Sequence, residues 1–489
     1  MAAIAPQQLS VLSDLVGRWT GLHFPEERYT ELERGIRRAS KDFGHRHVDQ
    51  FVQVLLASEL TAEQIQMLAW HLTIGETYFL RGKSTFDVLE KEILPELVMQ
   101  RKGKEQQLRL WSAGCAGGEE PYSMAITVAR LLPDIKDWHI TILASDINTR
   151  SLQKAANGTY GNWSFRDTPD WLRPQFFTAA NNDWVIRPQV RKMVTTSYLN
   201  LAADPYPSLA TNTNAMDIIF CRNVLMYFKP EVMKRVIASL HEALRDGGYL
   251  FVAPSEASQE LFPQFVRAST RGEIYYRKDI AALREQTRGR AATGARARVS
   301  GTAARPVAVP RRAMPAPRPA APRPAAPRRA TRPTTPTRTA VPAEAAAVGP
   351  AVPTGDAAAL AAAARARAGE GRLNEALGQV EQAIKADKLT PGYHYLYATI
   401  LEELDRPDDA VKALTSALFL DPGFALAHFL LGNIARRRGR SAEAGKHFRK
   451  ALELLEGQEA DEVLPESEGM TAGKLAEIVR SLLEMEVAR

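Results

Sequence analysis

The first 75 residues carry three series of apolar residues that are spaced by three or four positions. The series consist of Leu9, Leu12, Leu15, Val16 and Trp19, then Phe51, Val52, Leu55 and Leu56, then Ile65, Leu68, Ala69 and Leu72. Spacing of this kind gives a helix one apolar stripe, which must pack against another element. The pattern therefore predicts a small helical domain over residues 1–80.

Apolar residues between Leu108 and Arg277 are grouped differently, in short runs bounded by polar segments. The runs are Leu108–Ala113, His139–Ser145, Lys192–Leu199, Met216–Cys221 and Gly248–Pro254. Patterns typical of helices alternate with them, for example at residues 121–132 and 231–245. Such alternation favours an α/β fold, with a mostly parallel sheet that has helices on both faces. We predict this domain over residues 81–284.

The C-terminal part of the chain repeats itself with a period of 34 residues. Matching positions are Ala376, Ala410 and Ala444, then Val380, Leu414 and Phe448, then Ala383, Ala417 and Ala451. The pattern resembles tetratricopeptide repeats, all-α units in which paired helices approach closely at small residues. We predict about three repeats over residues 355–458, the first of them weak, and a tail at 459–489 with a closing helix. An alanine-rich helical bundle without repeats is the alternative.

The segment at residues 285–354 consists largely of Pro, Ala and Arg. Because it has almost no large apolar residues, we predict a disordered linker that tethers the repeats loosely. Residues 281–344 also hold 14 Arg against 2 Glu, so the formal charge of +7 for the whole chain leaves −5 for the remainder. Nucleic-acid binding is therefore not expected, since these cations lack a folded surface with readout residues beside them.

Membrane and metal classes are disfavoured by other features of the sequence. The longest apolar runs fall short of the ~20 residues of a membrane span, and the N-terminus does not resemble a signal peptide. The two cysteines, Cys115 and Cys221, are too few for a disulfide framework or a Cys-based zinc site. We expect a cytoplasmic protein without a metal and without membrane insertion.

A glycine-rich turn from Trp111 to Ser123 follows the first predicted strand and opens a helix. Glycines let the backbone approach a ligand at the carboxyl edge of a parallel sheet. The next strand ends at Asp146, 28 residues after Gly118, where a carboxylate suits ribose hydroxyls. The turn lacks the regular G-x-G-x-x-G spacing of dinucleotide sites. Together these features indicate a cofactor that contains a nucleoside and is not a dinucleotide.

Five segments resemble motifs of the chemotaxis-receptor glutamate methyltransferases, in the same order. They are TIGETYFLR (73–81), WSAGCAGGEEPYSMA (111–125), ASDIN (144–148), FCRNVLMYF (220–228) and LRDGGYLFVAPSE (244–256). The resemblance covers residues 1 to about 280 and implies a class I S-adenosylmethionine-dependent methyltransferase domain behind the N-terminal helices. It also implies the reaction. S-Adenosyl-L-methionine would give its methyl group to glutamate side chains of methyl-accepting receptor cytoplasmic domains, leaving S-adenosyl-L-homocysteine and glutamate methyl esters.

The resemblance also implies roles for individual residues. Those expected to contact the cofactor are Thr77, Arg81, Gly114, Glu120, Asp146, Asn200, Leu201, Asn223 and Val224. Arg81 and Tyr227 are expected to flank the transferred methyl group as catalytic residues. The simpler alternatives are a surface salt bridge for Arg81, a helix cap for Asp146 and a core position for Tyr227. The family often has Asn where this chain has Gly75, so one cofactor hydrogen bond is expected to be missing.

The chemistry of this reaction suits the residue types without reference to the family. A glutamate carboxylate is ionised at pH 7 and can attack a methyl group without a general base. Opposite charges merge as the methyl group moves, so alignment and exclusion of water should matter most. Arg81 is the cation expected to hold the acceptor carboxylate.

Four cations at helical spacing, Arg34, Arg37, Arg38 and Lys41, are expected to share one helix face. That face suits an acidic partner helix and is our candidate for receptor binding, and a solvated charge run is the alternative. The repeats are expected to bind a protein or peptide, and the sequence leaves open a receptor, a response regulator or their own catalytic domain. Two rival functions remain: an inactive scaffold that still binds the cofactor, and a small-molecule methyltransferase, which the repeats disfavour.

Overall fold

The computed structural model describes residues 4–284 and 354–487, so the predicted linker lies almost entirely outside the described residues. Its N-terminal helices are α1 (Pro6–Thr20), α2 (Tyr29–Asp42), α3 (Val48–Ala57) and α4 (Ala62–Leu72). Their apolar stripes form one core, as the spacing predicts. A capping box starts α4, where the side chain of Thr61 accepts from the N–H of Gln64. Gly35 lets α2 approach α4, because a Cβ there would lie 2.5 Å from Leu72 Cδ2.

The predicted α/β domain follows. Its elements are α5 (Lys83–Val88), a π-helical turn (Leu89–Ile93), α6 (Leu94–Arg101), β1 (Gln107–Ala113), α7 (Glu119–Leu131), β2 (His139–Asp146), α8 (Thr149–Asn157), β3 (Thr159–Tyr160), α9 (Leu172–Phe176), β4 (Phe177–Ala180), β5 (Asp183–Ile186), α10 (Pro188–Arg191), β6 (Val194–Tyr198), β7 (Met216–Cys221), α11 (Pro230–Ala243), β8 (Leu244–Val252), β9 (Val266–Thr270) and β10 (Glu273–Arg277). The main sheet of the described residues has the strand order β6-β2-β1-β7-β8-β10-β9.

The main sheet is parallel from β6 to β8 and antiparallel only where β10 joins β8 and β9. Its two faces are buried by different helices. Leu110 of β1 belongs to a core that includes Met124 of α7. The next residue, Trp111, belongs to a core that includes Ile237 of α11 on the other face. The prediction of a mostly parallel sheet covered on both faces is confirmed.

Two antiparallel units were not predicted from the sequence. Strands β3, β5 and β4 form a separate small sheet between α8 and β6. The hairpin of β9 and β10 extends the main sheet. These strands are two to five residues long and partly exposed, so their sequences lack the buried apolar runs by which the other strands could be recognised.

Paired helices make up the C-terminal part of the described chain. They are α12 (Thr354–Gly369), α13 (Leu373–Ala386), α14 (Pro391–Glu403), α15 (Pro407–Leu420), α16 (Ala425–Arg437) and α17 (Ser441–Leu455), followed by the closing helix α18 (Ala472–Val487). All nine residues of the predicted 34-residue period are fully buried. Gly432 is needed for close packing, because a Cβ there would lie 2.4 Å from the ring of Phe448.

The repeats pack directly on the α/β domain, and one compact unit contains both. The side chain of Gln107 donates to the carbonyl of Glu403 at 2.7 Å, and that of Asn214 donates to the Glu403 carboxylate at 3.1 Å. The N–H of Leu209 donates to the side chain of Glu468 at 2.8 Å. The expectation of loosely tethered repeats is therefore wrong for the described residues. The 34-residue period predicts contacts within the repeats. It carries no information about the surface of the repeats that packs on the α/β domain.

Candidate active site

The carboxyl ends of β1, β2, β6 and β7 lie at one edge of the sheet, where open α/β folds bind ligands. Two adjoining cavities open there. The residues that line both are Ile74, Gly114, Ala116, Asn223 and Tyr227. The site therefore forms at the sheet edge that the glycine-rich turn predicted.

Among the described helices, none is long and apolar enough to cross a membrane.

Every residue that the sequence predicted for the cofactor or for catalysis lines one or both cavities. These residues are Thr77, Arg81, Gly114, Glu120, Asp146, Asn200, Leu201, Asn223, Val224 and Tyr227. They come from the end of β2, from the start of α7, from the segments that follow β1, β6 and β7, and from the segment after α4. The fold brings the predicted residues together, and their roles toward a cofactor stay predictions.

Asp146 ends β2 with its carboxylate at the cavity wall. One oxygen accepts from the N–H of Ala116 and the other from the N–H of Asn148, both at 2.8 Å. Each carboxylate oxygen keeps a further lone pair that can accept from a ligand hydroxyl. Burial raises the pKa of Asp146, and the backbone N–H donors oppose this rise. The carboxylate is therefore fixed in place with acceptor capacity to spare.

Gly114 follows β1 and brings its backbone close to the loop after β7. Its φ of +83° lies in the left-handed region, and an added Cβ would lie only 2.4 Å from Val224 Cγ2. A side chain here would push into Val224 and narrow the cavity. Glycine is therefore required both by the backbone conformation and by the space that a ligand would use.

The loop after β7 is held by Glu256, a buried residue that sequence reasoning did not single out. Its carboxylate accepts from the N–H of Asn223 at 2.8 Å, from that of Met226 at 3.2 Å and from that of Ala253 at 3.0 Å. Asn223 adopts a left-handed φ of 60°. Since hydrogen bonds of this kind to a carboxylate are strong, Glu256 fixes the conformation that presents Asn223 to the cavity.

Glu120 is tied to an arginine that was also missed. Its carboxylate accepts from the Ser112 hydroxyl at 2.8 Å and lies 3.2 Å from Nη1 of Arg222. The same Nη1 donates to the carbonyl of Arg81 at 2.7 Å. Burial raises the pKa of Glu120, while the charge of Arg222 opposes this rise. The pair therefore connects β1, the loop after β7 and the backbone at Arg81.

The side chain of Arg81 is partly exposed at the second cavity. Its guanidinium donates to the carbonyl of Glu76 and lies 5.9 Å from the ring centre of Tyr78. These contacts leave other N–H groups of the fork able to bind a carboxylate. The geometry suits a residue that orients an acidic substrate at the mouth of the site.

Tyr227 joins the site to the N-terminal domain. The guanidinium of Arg28 lies 4.9 Å from the centre of its ring, and Arg28 in turn pairs with Glu31 at 2.8 Å. The carbonyl of Tyr227 accepts from the N–H of His23 at 2.7 Å. Burial raises the pKa of Tyr227, so its hydroxyl keeps its proton at neutral pH and can donate. Arg28 is a further residue that the sequence did not reveal.

Asn200 and Leu201 follow β6 and are buried at the cavity. The side-chain oxygen of Asn200 accepts from the N–H of Ala202 at 3.0 Å, which leaves the amide NH₂ able to donate. The backbone N–H of Asn200 donates to Asp204 at 2.6 Å. Asp204 also pairs with Lys474 of α18 at 2.8 Å. The cofactor loop after β6 is thus attached to the closing helix.

The predicted basic face forms part of α2. Arg34, Arg38 and Lys41 are exposed, whereas Arg37 is half-buried and bound to Glu33 of the same helix. Arg38 also donates to the carbonyl of His71 at 2.9 Å. These four residues do not line the two cavities. Their role in substrate binding stays a prediction. The three exposed cations are the ones that could contact an acidic partner.

Four residues at or near the site were not predicted from the sequence, and they differ in whether a sequence motif contains them. Arg222 lies inside the segment 220–228, and Glu256 ends the segment 244–256, so both were within reach of the motif comparison. Arg28 and Lys474 lie outside the quoted motifs. Their contacts depend on how separate domains pack, and a linear pattern does not predict such contacts.

Family models and relatives match both the α/β domain and the repeats. The family model "CheR methyltransferase, SAM binding domain" matches residues 75–271, and a tetratricopeptide-repeat model matches 361–423 and 398–459. Chemotaxis protein methyltransferase 2 of Vibrio cholerae is 33% identical over 48% of this chain and 81% of that protein. The Listeria innocua chemotaxis protein methyltransferase is 34% identical over 54% of this chain and 94% of that protein. The crystal structure of MamA is 25% identical over 21% of this chain and 61% of that chain, with a TM-score of 0.21.

A methyltransferase model that spans the cavity, together with these relatives, defines the class: the chain is an S-adenosylmethionine-dependent protein methyltransferase that carries C-terminal tetratricopeptide repeats. Within that class it belongs to the chemotaxis protein methyltransferase family, CheR. The resemblance found in the five sequence motifs is confirmed.

Proposed function

We propose that the chain transfers a methyl group from S-adenosyl-L-methionine to glutamate side chains on the cytoplasmic domains of chemotaxis receptors. The products are glutamate methyl esters and S-adenosyl-L-homocysteine. The observation that carries this proposal is the single site in which Asp146 and Asn200 line one cavity, Arg81 lines the adjoining one, and Tyr227 borders both. A carboxylate that can accept hydrogen bonds from a nucleoside and a cation that can bind an acidic substrate thus lie in adjoining cavities.

The cavity fits the cofactor by its own chemistry. Asp146 offers carboxylate lone pairs for ribose hydroxyls, and Gly114 leaves open the space that a Cβ would fill beside Val224. When bound, S-adenosyl-L-methionine supplies an electrophilic methyl group on a sulfonium sulfur. Glu120 and Arg222 compensate each other's charge inside the protein, so they present little net charge to that sulfonium.

The residues of the chain act by positioning. Arg81 binds the glutamate carboxylate of the receptor, and Tyr227, which lines both cavities, donates its hydroxyl hydrogen to the acceptor. A carboxylate oxygen then forms the new bond to the methyl carbon while the carbon–sulfur bond breaks and its electron pair stays on sulfur. No proton moves, so the site needs no general base. Arg34, Arg38 and Lys41 are proposed to attract the acidic receptor helix.

The repeats are proposed to act as a docking module for a receptor or another signalling protein. Two of their large apolar side chains are unusually exposed, with 77% of Leu389 and 86% of Phe419 open to solvent. Leu389 lies between α13 and α14, and Phe419 lies near the end of α15, so both are near junctions between successive helix pairs. Such side chains offer apolar surface to a partner, and the proposal rests on the match to a tetratricopeptide-repeat model.

A transfer assay separates this proposal from the scaffold alternative. The full-length chain is incubated with S-adenosyl-L-methionine that carries a radiolabelled methyl group and with a receptor cytoplasmic domain. The proposal predicts label on the receptor, and labelling that is about 100-fold slower when the Arg81→Ala variant replaces the parent. Cofactor binding by calorimetry without any transfer would instead support an inactive scaffold.

A further inference from the structure

Helix α18, which closes the repeats, lies against the α/β domain near the candidate active site. It contacts α4, α8 and β6. Its apolar residues Leu475, Ile478 and Val479 share one buried core with Tyr198, the last residue of β6. The segment that follows β6 supplies Asn200 and Leu201 to the cavity. A helix from the far end of the chain therefore supports the backbone from which two predicted cofactor residues project.

One lysine of α18 reaches the cofactor loop directly. Lys474 Nζ lies 2.8 Å from one carboxylate oxygen of Asp204, whose other oxygen accepts from the backbone N–H of Asn200 at 2.6 Å. The same ammonium lies 4.5 Å from the ring centre of Tyr198 and also pairs with Glu477. Side chains of Lys474 and Asp204 are 17% and 4% exposed, so solvent screens this pair only weakly.

The Lys474–Asp204 pair matters because the carboxylate of Asp204 is buried and accepts few other hydrogen bonds. Without Lys474, its carboxylate would lie beside Glu477 with the N–H of Asn200 as its remaining donor among the contacts described. A buried carboxylate that loses its cation either takes up a proton or moves toward water. Both responses would loosen the bond that fixes Asn200.

Helix α18 also contacts α4, the helix whose C-terminal end leads into the lining of the same cavity. The side chain of Gln66 on α4 donates to Glu477 at 3.0 Å. The segment after α4 begins with Thr73, whose hydroxyl accepts from the side chain of Asn148 at 2.8 Å, next to Asp146. The closing helix therefore touches elements that lead to both sides of the site.

We propose that Lys474 is a positioning residue for cofactor binding, which through Asp204 holds Asn200 in the cavity and so makes the repeats a structural part of the active site. This inference rests on the proposed function, because it takes Asn200 as a cofactor contact. It assigns the repeats a task inside their own chain in addition to any partner that they dock.

The test uses the full-length chain and binding of S-adenosyl-L-homocysteine measured by calorimetry. Lys474→Ala is expected to weaken binding about tenfold, the size of a coupling of about 1.4 kcal/mol between contacting residues. Lys474→Arg keeps the charge and should restore most of the affinity. Lys450→Ala is the matched control, because Lys450 pairs with Glu453 three residues later on α17 at 2.9 Å and contacts no residue of the site.

The outcomes are distinct. Parent-like affinity of Lys474→Ala, or an equal loss in Lys450→Ala, overturns the positioning role. Failure of the parent chain to bind S-adenosyl-L-homocysteine refutes the proposed function itself. If Lys474→Ala does not fold, Lys474→Gln and Asp204→Asn are measured in its place. Both variants should fold and bind S-adenosyl-L-homocysteine weakly. The double variant that combines Lys474→Gln with Asp204→Asn should bind no worse than Asp204→Asn alone. A further loss in the double variant contradicts the proposed path through Asp204.

Discussion

Two buried glutamate–arginine pairs lie near opposite ends of β1. Glu120 and Arg222 face the cavity beyond its carboxyl end, with their charged atoms 3.2 Å apart. Glu403 and Arg109 lie toward its amino end, between the repeats and the sheet, with their charged atoms 3.6 Å apart. Burial raises the pKa of both glutamates, and the partner arginine opposes each rise. The same chemistry thus serves a binding site in one place and a domain contact in the other.

The difference between the pairs lies in how each is anchored. Glu120 follows β1 by a few residues, and both members of its pair fall within segments that carry the family motifs. Glu403 is 294 positions from Arg109 along the chain and also binds Asn214. The first pair is part of a local motif, whereas the second depends on domain packing. Sequence motifs therefore identify the chemistry of the site, but they do not identify the contacts between the α/β domain and the repeats.

The largest effect is expected from breaking the interface pair. Glu403→Ala leaves the Arg109 guanidinium buried without its carboxylate, which typically costs ~3–5 kcal/mol of unfolding free energy. Urea denaturation of the full-length chain measures this loss. Glu375→Ala is the control, because Glu375 pairs with Arg372 at an exposed site, where the expected change is ~0–1 kcal/mol. Equal losses in the two variants would show that the interface pair contributes no more than a surface one.

A substitution in the candidate active site is expected to change activity and not stability. Arg81→Ala should lower turnover by about 100-fold, because misalignment of the acceptor carboxylate carries a penalty of this order. The melting temperature should change little, since the side chain is partly exposed. Turnover and melting are measured side by side, with Arg187→Ala, a residue outside the two cavities, as the control. Normal turnover of Arg81→Ala would remove Arg81 from the catalytic role.

Asp146→Ala should weaken binding of S-adenosyl-L-homocysteine by ~1–3 kcal/mol, because buried hydroxyl donors of the ligand lose their acceptor. The N–H groups of Ala116 and Asn148 lose the same acceptor, so the loop should also loosen. Calorimetry measures the affinity. Asp134→Ala, at a partly exposed turn before β2 and outside both cavities, should bind like the parent. Unchanged affinity of Asp146→Ala would place the ribose elsewhere.

Acidification should weaken cofactor binding. Burial raises the pKa of Asp146, so its carboxyl takes up a proton at a higher pH than an exposed aspartate does. The ionised form is the better acceptor, so affinity should be full at neutral pH and fall as the pH drops through the raised pKa. Calorimetry over an acidic pH series tests this. Asp146→Asn should flatten the fall, and any slope that remains would come from Glu120 at the cavity and Asp204 beside Asn200, whose pKa values burial also raises.

The smallest effect is expected at Gly75. A Cβ there would meet Ser151 Oγ at 3.6 Å and Ala116 Cβ at 3.7 Å, both ordinary contact distances. Gly75→Asn should therefore be tolerated and should tighten cofactor binding by ~0.5–1.5 kcal/mol through one new hydrogen bond. Gly75→Ala, which adds no polar group, is the control. Tighter binding in both variants would assign the gain to the backbone.

Much of the fold was predictable because its elements bury regular apolar patterns. The strands β1, β2 and β7 are buried along most of their length, and the 34-residue period marks residues that are fully buried between helices. The small antiparallel sheet of β3, β4 and β5 escaped prediction because its strands are short and half-exposed.

Most of the candidate site was predictable from the five family motifs, and the resemblance also implied Asn200 and Leu201, which lie outside them. Asp146 and Gly114 stand at strand ends, where a carboxylate and a glycine have a physical meaning in the sequence itself. Arg28 and Lys474 reach the site across domain boundaries, at the ring of Tyr227 and at Asp204. Such contacts arise from the packing of separate cores, and local spacing does not encode them.

The most direct test of the account is the chemical form of the methylated product. After reaction with a receptor cytoplasmic domain, the receptor is digested and its modified residues are located by tandem mass spectrometry, with and without mild base. We expect methyl groups on glutamate side chains that base removes as methanol, and their formation should be about 100-fold slower with Arg81→Ala. Methylation that resists base, or that falls on nitrogen or sulfur, would contradict the central claim that this site esterifies glutamate.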